Sequence, residues 1–208
     1  MYEYTDKALK IADKTLIREF NRLKSLSALT HFDEMNVLKA VNKAFDVVKK
    51  EIRKCYLLIA KSVYRDWYKG NKDLKSLDDE WVDEILEGYD KVTKYVFNHE
   101  EDRKRARLIE TIIASDTKAV DIDKAMKYLA LQYHEFAVRV TDDAVLKALI
   151  DSGEKYAVWV TEKDEKVCKA CKARDGKIYP IKDFPPKEHI GCRCKRRRLR
   201  GSDKQGNG

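Results

Sequence analysis

The chain has 208 residues, of which 43% are hydrophobic and 38% are charged, and its formal net charge is +8. This length suffices for one domain, or for one domain with a small appendix. The charged fraction exceeds the usual quarter and suits long, solvent-exposed helices. The sequence contains no apolar run of about 18 residues and no signal-peptide pattern at its start, so we expect neither a membrane span nor export.

Residues that break helices are almost absent from most of the chain. Residues 1–152 contain no proline and only two glycines, Gly70 and Gly88. An N-terminal helix is predicted over 5–28, with apolar positions at Ala8, Ile11, Ala12, Leu16, Phe20 and Leu23. A longer helix is predicted over 33–69, with Gly70 as its stop. Its apolar positions recur in steps of three and four along one face: Val37, Val41, Ala44, Val48, Ile52, Cys55, Ile59 and Val63.

Further helices follow. They comprise a short one around Trp81 with a cap at Ser76, a charged one at about 100–115, and one at about 119–150. Thr141 is a candidate cap that would break the last of these, and Gly153 is expected to end it.

The apolar period then changes from helical to alternating. Three short stretches read as strands: "YAVWVT" (156–161), "GKIYPI" (176–181) and "CRCKRRRLR" (192–200). We therefore predict a mainly α protein with three parts: an elongated helical body (1–153), a small β-rich C-terminal module (154–200) and a flexible tail (201–208). Alone, so small a module cannot bury a sufficient core, so something else must hold it together.

A cysteine cluster offers that support. Cys168-x2-Cys171, seventeen residues, then His189-x2-Cys192 is the two-knuckle spacing of structural zinc sites. Without export the thiols should stay reduced, which favours a metal over a disulfide. Cys194 is a fifth candidate for four positions. On a strand, Cys192 and Cys194 would face opposite sides, so we favour Cys192 for its His-x2-Cys spacing.

Nothing in the pattern points to catalysis. A catalytic zinc keeps a position open for water, whereas protein ligands here suffice to fill all four. Zinc deaminases place their His-x-Glu before the cysteine pair, which is the opposite order. Cys55 lies on the apolar face of a predicted helix and is interpreted as core. The other histidines are scattered along the sequence. We expect no enzyme.

Positive charge is concentrated at the C-terminal end. Residues 187–208 hold eight basic and two acidic residues, and so carry +6 of the +8. Such a segment is typical of proteins with a polyanionic partner, although it could also serve only solubility. The candidate DNA-binding residues are Arg193, Lys195, Arg196, Arg197, Arg198 and Arg200.

The stretch "WVTEKDEKVCKACKARDGKIYPIKDFPPKEHIGCRC", Trp159 to Cys194, resembles the C-terminal signature of the phage Mu F-like minor head protein family, also called head morphogenesis proteins. The shared features are a strand bearing a tryptophan, an aspartate before "VC", Cys-x2-Cys, "DGK", "PP", a histidine and "CRC". The chain departs from the pattern at Lys169 and Ile190, where the family often has proline. Neither departure affects a candidate ligand.

The resemblance implies a minor structural protein of a tailed-phage head. Its expected partners are the portal and major capsid proteins and, non-specifically, packaged double-stranded DNA, with no membrane and no small-molecule substrate. Its expected location is the virion, after assembly in the host cytoplasm, and its expected cofactor is a structural Zn²⁺. The alternative is a zinc-containing, nucleic-acid-binding regulator.

Large residues also lie beside the apolar face of the long predicted helix, and they suggest a docking surface for the portal or capsid. They are Phe45, Tyr56, Leu57, Tyr64, Trp67 and Tyr68. The alternative is that they pack on neighbouring helices.

Overall fold

The structure, a computed structural model, describes residues 3–28, 33–68, 81, 84, 87, 103–114, 118–187, 192–201 and 203. In chain order its elements are α1 (Glu3–Ser27), α2 (Glu34–Trp67), α3 (Arg103–Ala114), α4 (Lys118–Asp151), β1 (Tyr156–Val160), α5 (Lys169–Arg174), β2 (Ile178–Pro180), a 3-10 helix (Ile181–Asp183) and β3 (Lys195–Arg198). The expectation of a mainly α protein with a small β-rich C-terminal part is therefore confirmed.

Three long helices form the body. α1, α2 and α4 pack against one another, and α3 packs against α2 and α4. α2 and α4 have 34 residues each, which corresponds to a length of about 50 Å. Asp33 begins α2 as its N-cap, because its carboxylate accepts a hydrogen bond of 2.8 Å from the Asn36 backbone N–H.

The predicted apolar face of α2 forms the centre of the core. All eight positions of the stripe, from Val37 to Val63, are buried. The predicted face of α1 is also buried except at Ile11, which is 48% exposed. The buried face of α1 runs through Ala8, Ala12, Leu16 and Phe20 in steps of four, and Ile11 points to solvent beside it.

The expected docking surface on α2 is not exposed. Phe45, Tyr56 and Tyr64 are buried in the same core, while Leu57, Trp67 and Tyr68 are partly buried and pack against it. The two buried tyrosines satisfy their hydroxyls with interior partners: Tyr56 donates to the Tyr133 carbonyl (3.0 Å) and Tyr64 donates to Asp151 (2.7 Å). The burial therefore supports the alternative, that these residues pack on neighbouring helices, because α1, α3 and α4 surround α2.

α4 is continuous through Thr141, so the possible break there does not occur. The Thr141 hydroxyl donates to the Ala137 carbonyl (2.8 Å) and lies 3.2 Å from the Thr5 hydroxyl of α1. A buried threonine that bonds back to the preceding turn does not have to act as a cap.

Gly153 ends α4 as predicted. Its φ of 75° is in the left-handed region, its N–H bonds to the Ile150 carbonyl (2.9 Å), and the Glu154 N–H bonds to the Leu149 carbonyl (3.1 Å). This is a Schellman motif, in which glycine avoids the strain of a Cβ.

α2 ends at Trp67, earlier than predicted, with Tyr68 in an extended conformation. Gly70 and the predicted cap at Ser76 lie outside the described residues. Trp81 is helical and its ring lies 6.4 Å from that of Tyr64.

The C-terminal part is a three-stranded antiparallel sheet in the order β2-β1-β3. β1 is central, and Trp159 is opposite Arg196 of β3. Ala157 of β1 and Ile181 after β2 are buried in the same core as the long helices. The sheet is therefore continuous with the packing of the body.

Candidate metal centre and the basic strand beside it

The first cysteine pair is positioned by the start of a short helix. Cys168 is the N-cap of α5 in an extended conformation, and its sulfur accepts a hydrogen bond from the Cys171 backbone N–H at 3.4 Å. Cys171 lies in the first turn of α5 and is buried. This arrangement places two sulfurs three residues apart on the same side of the turn.

The second pair arrives from the segment that leads into β3. Cys192 and Cys194 are both buried, and they precede the first residue of that strand, Lys195. Because neither cysteine lies within the strand, the alternation of side chains between the two faces of a strand does not place them on opposite sides. The structure places both in the cluster, and the sequence-based preference for Cys192 stays a prediction.

The sulfurs of Cys171, Cys192 and Cys194 all lie within 4.8 Å of one another. Cys171 and Cys192 are 3.6 Å apart, which is too far for a disulfide. Sulfurs that surround a zinc ion tetrahedrally would be about 3.8 Å apart, since a Zn–S bond is about 2.3 Å. The three cysteines are thus close enough to hold a metal ion.

Burial raises the pKa of the Cys171 thiol far above its ordinary value, and contacts with the sulfurs of Cys168, Cys194 and Cys192 add to the increase. Burial also raises the pKa of Cys194. A bound cation would favour the deprotonated sulfurs, because it takes the place of their protons. His189, the other predicted ligand, lies outside the described residues.

A buried polar atom borders the cluster. The indole Nε1 of Trp159 is buried and has no hydrogen-bond partner among the described residues. Trp159 packs in the same buried cluster as Cys171, Cys192 and Cys194. A donor without an acceptor, next to thiols that become strong acceptors as thiolates, fits a site that binds a cation.

Most of the residues predicted to bind DNA have partners within the chain. On one side, Arg193 pairs with Asp164 (2.7 Å), Lys195 with Glu162 (2.5 Å), and Arg197 with Asp203 (2.8 Å). These three ion pairs lie at or near the protein surface.

On the opposite face of β3, two arginines contact the body. Arg196 donates to the Asp142 carbonyl of α4 (3.0 Å) and lies over the Phe184 ring at 4.9 Å. Arg198 donates to Glu154 (2.7 Å) and Ser152 (3.2 Å) after the end of α4. The period of two along a strand sends alternate side chains to the two faces, so the basic run docks the strand onto the helices.

A polar cluster in the body escaped the sequence analysis. Tyr133 donates to Asp13, and His134 Nε2 lies 2.8 Å from the same carboxylate oxygen. These contacts join α1 to α4 across 120 and 121 residues. No local pattern could have indicated them, because the spacing exists only after the helices pack.

The fold and the cysteine cluster define a helical protein with a small C-terminal sheet, beside which three buried cysteines are close enough to hold a metal ion. The family model described as "Phage Mu protein F like protein" matches residues 87–197. The match covers more than half of the chain, which therefore belongs to the phage Mu protein F-like family, as its signature indicated. A search of curated proteins and a search of solved structures found no match.

This family consists of structural phage proteins, which makes the chain a phage head-related protein. Among the described residues, no helix is both long and apolar enough to cross a lipid bilayer.

Proposed function

We propose that this protein is a minor structural component of a tailed-phage head, incorporated beside the portal during head morphogenesis in the host cytoplasm. The observation that carries the proposal is the family match, which includes both cysteine pairs and reaches into the last strand of the sheet. The chain is proposed to act without catalysis, as a helical body followed by a metal-stapled module.

We further propose that the metal is a structural zinc ion held by the four sulfurs of Cys168, Cys171, Cys192 and Cys194. The sulfurs of Cys171, Cys192 and Cys194 already lie close together. The Cys168 sulfur accepts a hydrogen bond from the Cys171 backbone N–H. Bound zinc would supply a tetrahedral cross-link between α5 and the start of β3. That link would stabilise a sheet whose outer strands have only three and four residues.

Metal analysis tests this set of ligands. Full-length protein purified without chelator should contain one zinc per chain. Cys168→Ser should lose most of the zinc, whereas His189→Ala should keep it. The reverse result would make His189 the fourth ligand, and a wild-type zinc content near zero would refute the metal site.

Incorporation into heads tests the structural role. The full chain should be expressed with the portal and major capsid proteins of its phage, and purified particles should contain it in few copies. Cys171→Ser, which disturbs the module, is a useful comparison because it leaves the surface of the helical body unchanged. Absence of the wild-type chain from particles would contradict the proposal.

DNA is proposed as a weak, sequence-independent partner of the basic residues Arg193, Lys195, Arg196, Arg197, Arg198 and Arg200. Acidic partners compete with phosphate at several of them, so few counterions would be released and the salt dependence should be shallow. The experiment compares DNA binding by wild type and by Arg193→Gln with Arg197→Gln. In the described part of the chain, neither arginine has a hydrogen-bond or ion-pair partner in the helical body, so a loss of DNA binding would not be caused by a loss of contact between β3 and the helices. Tight, sequence-specific binding would instead support the regulator.

A further inference from the structure

The orientation of Trp159 is fixed from several sides. The Arg174 guanidinium lies 5.2 Å above its ring, and Phe184 stacks on it at 5.6 Å with an interplanar angle of 12°. Its backbone N–H bonds to the Lys177 carbonyl (2.9 Å), and its carbonyl accepts from the Gly176 N–H (2.9 Å). The indole is therefore held in one position by contacts that do not involve a metal.

This fixed indole presents a donor that has no acceptor among the described residues. Trp159 is 2% exposed, and its Nε1 has no partner among the residues that the structure describes. Buried donors of this kind are rare, because the lost hydrogen bond to water is not replaced. An unpartnered donor on a rigidly held ring suggests that its acceptor takes on charge in another state of the protein.

Cys194 is the acceptor that the surroundings offer. Trp159 and Cys194 border the same small cavity, together with Phe184 and Arg196, and they share one buried cluster. A neutral thiol is a weak acceptor, whereas a thiolate accepts charge-assisted hydrogen bonds.

Arg196 borders the same cavity and also has a buried unpartnered nitrogen, Nε. Its guanidinium is nevertheless anchored elsewhere, through the Asp142 carbonyl and the Phe184 ring. In the part of the chain that the structure describes, the indole has no such alternative partner for its single N–H.

We propose that the Trp159 indole N–H donates a hydrogen bond to the metal-bound thiolate of Cys194 and so acts as a positioning residue of the metal centre. The inference rests on the proposed metal site. Four thiolates around one Zn²⁺ carry a net charge of −2, and a hydrogen bond to one sulfur disperses part of it. Such outer contacts orient ligands and tune metal affinity by roughly 10-fold to 100-fold.

Cobalt binding to the full-length chain tests the proposal. Co²⁺ reports its thiolate ligands through sulfur-to-metal charge-transfer bands, and competition with a chromophoric chelator gives its affinity. Trp159→Phe keeps an aromatic ring and removes only the donor. It should still bind one Co²⁺, with affinity lowered roughly 10-fold or more and with shifted charge-transfer bands.

Two control variants separate the hydrogen bond from packing. Phe184→Leu removes the stacked ring and retains the indole, so its affinity should fall much less than that of Trp159→Phe. Trp67→Phe makes the same substitution outside the cysteine cluster and should leave the affinity unchanged. Equal affinities and spectra for wild type and Trp159→Phe would overturn the proposal.

A measurement on the wild type avoids any dependence on variant folding. In ¹¹³Cd-loaded, ¹⁵N-labelled protein, the Trp159 indole proton should shift downfield, exchange slowly and show coupling to cadmium through the sulfur. An indole resonance unmoved by cadmium would overturn the proposal while leaving the metal site intact. Failure of the wild type to bind either cobalt or cadmium would instead remove the metal site itself, and the proposal with it.

Discussion

Arg198, in the last strand, donates a hydrogen bond to the backbone carbonyl of Trp67, the last residue of α2 and 131 residues earlier in the chain. The last carbonyls of a helix have no partner within the helix and carry partial negative charge. The guanidinium therefore completes the end of α2, while its other contacts reach Glu154 and Ser152 at the end of α4. One side chain thus connects the sheet to two helix ends.

Replacement of Arg198 by alanine should destabilise the protein by about 1.5–3 kcal/mol, because mostly buried hydrogen bonds to a charged group are lost. Urea unfolding followed by circular dichroism measures the change. The matched control is Arg197→Ala on the same strand, whose ion pair with Asp203 faces away from the helices; its effect should be much smaller. Equal losses in the two variants would show that the contacts of Arg198 with the helix ends add no stability beyond that of a surface ion pair.

The helix end at Gly153 provides a second test. Gly153→Ala should cost about 1–2 kcal/mol, since a left-handed φ strains any residue with a Cβ. The added methyl group would meet no atom within 4 Å, so backbone strain alone should account for the loss. Gly201→Ala is the control: that site has equal space but no positive φ, and its unfolding free energy should hardly change.

Two neighbouring residues of α2 test the assignment of its buried face. Ile59 is fully buried and Leu58 is 48% exposed. Ile59→Ala should lower the free energy of unfolding by about 2–5 kcal/mol, because it leaves a cavity in the core. Leu58→Ala should change it by no more than about 0.5 kcal/mol. Thermal or urea unfolding of both variants decides the matter, and a larger loss for Leu58→Ala would mean that the helix faces the core differently.

The five cysteines should differ in reactivity. Cys55 is buried in the body and donates to the Ala8 carbonyl (3.1 Å), and burial raises its pKa to about 11. Its thiolate is therefore scarce at pH 8 and becomes roughly ten times more abundant with each pH unit up to its pKa. Alkylation followed by mass spectrometry of chelator-treated protein should modify half-buried Cys168 before Cys55. Early modification of Cys55 would contradict its place in the core.

Removal of the metal should affect more than the sheet. Ala157 and Ile181 are part of the body core, so chelation should increase amide exchange in β1 and also at the adjoining ends of α2 and α4. The middle of α2, around Ile52, should stay protected. Hydrogen exchange measured by mass spectrometry, with and without chelator, checks this. Unchanged exchange in β1 after chelation would mean that helix packing alone holds the sheet.

The sequence by itself determined the elements and the chemistry at their ends. The three- and four-residue steps from Val37 to Val63 marked the buried face of α2, because helical geometry repeats every 3.6 residues. Gly153 marked the end of α4, because only glycine enters the left-handed region without strain. The family also followed from local spacing, since the signature from Trp159 to Cys194 is a contiguous stretch.

Tertiary structure alone decided the partners. The sequence left open whether the aromatic residues of α2 form a free surface, and the structure shows that they pack on neighbouring helices. Ile11 was expected in the core, but the structure places it on the exposed side of α1. The basic run looked like an open tail, but Arg196 and Arg198 find their partners in residues 54 and 44 positions earlier. The Asp13 contacts with Tyr133 and His134 arise in the same way. Periodicity and spacing record what a chain does within a few turns, whereas the partner of a charge or a buried N–H depends on which segments pack together.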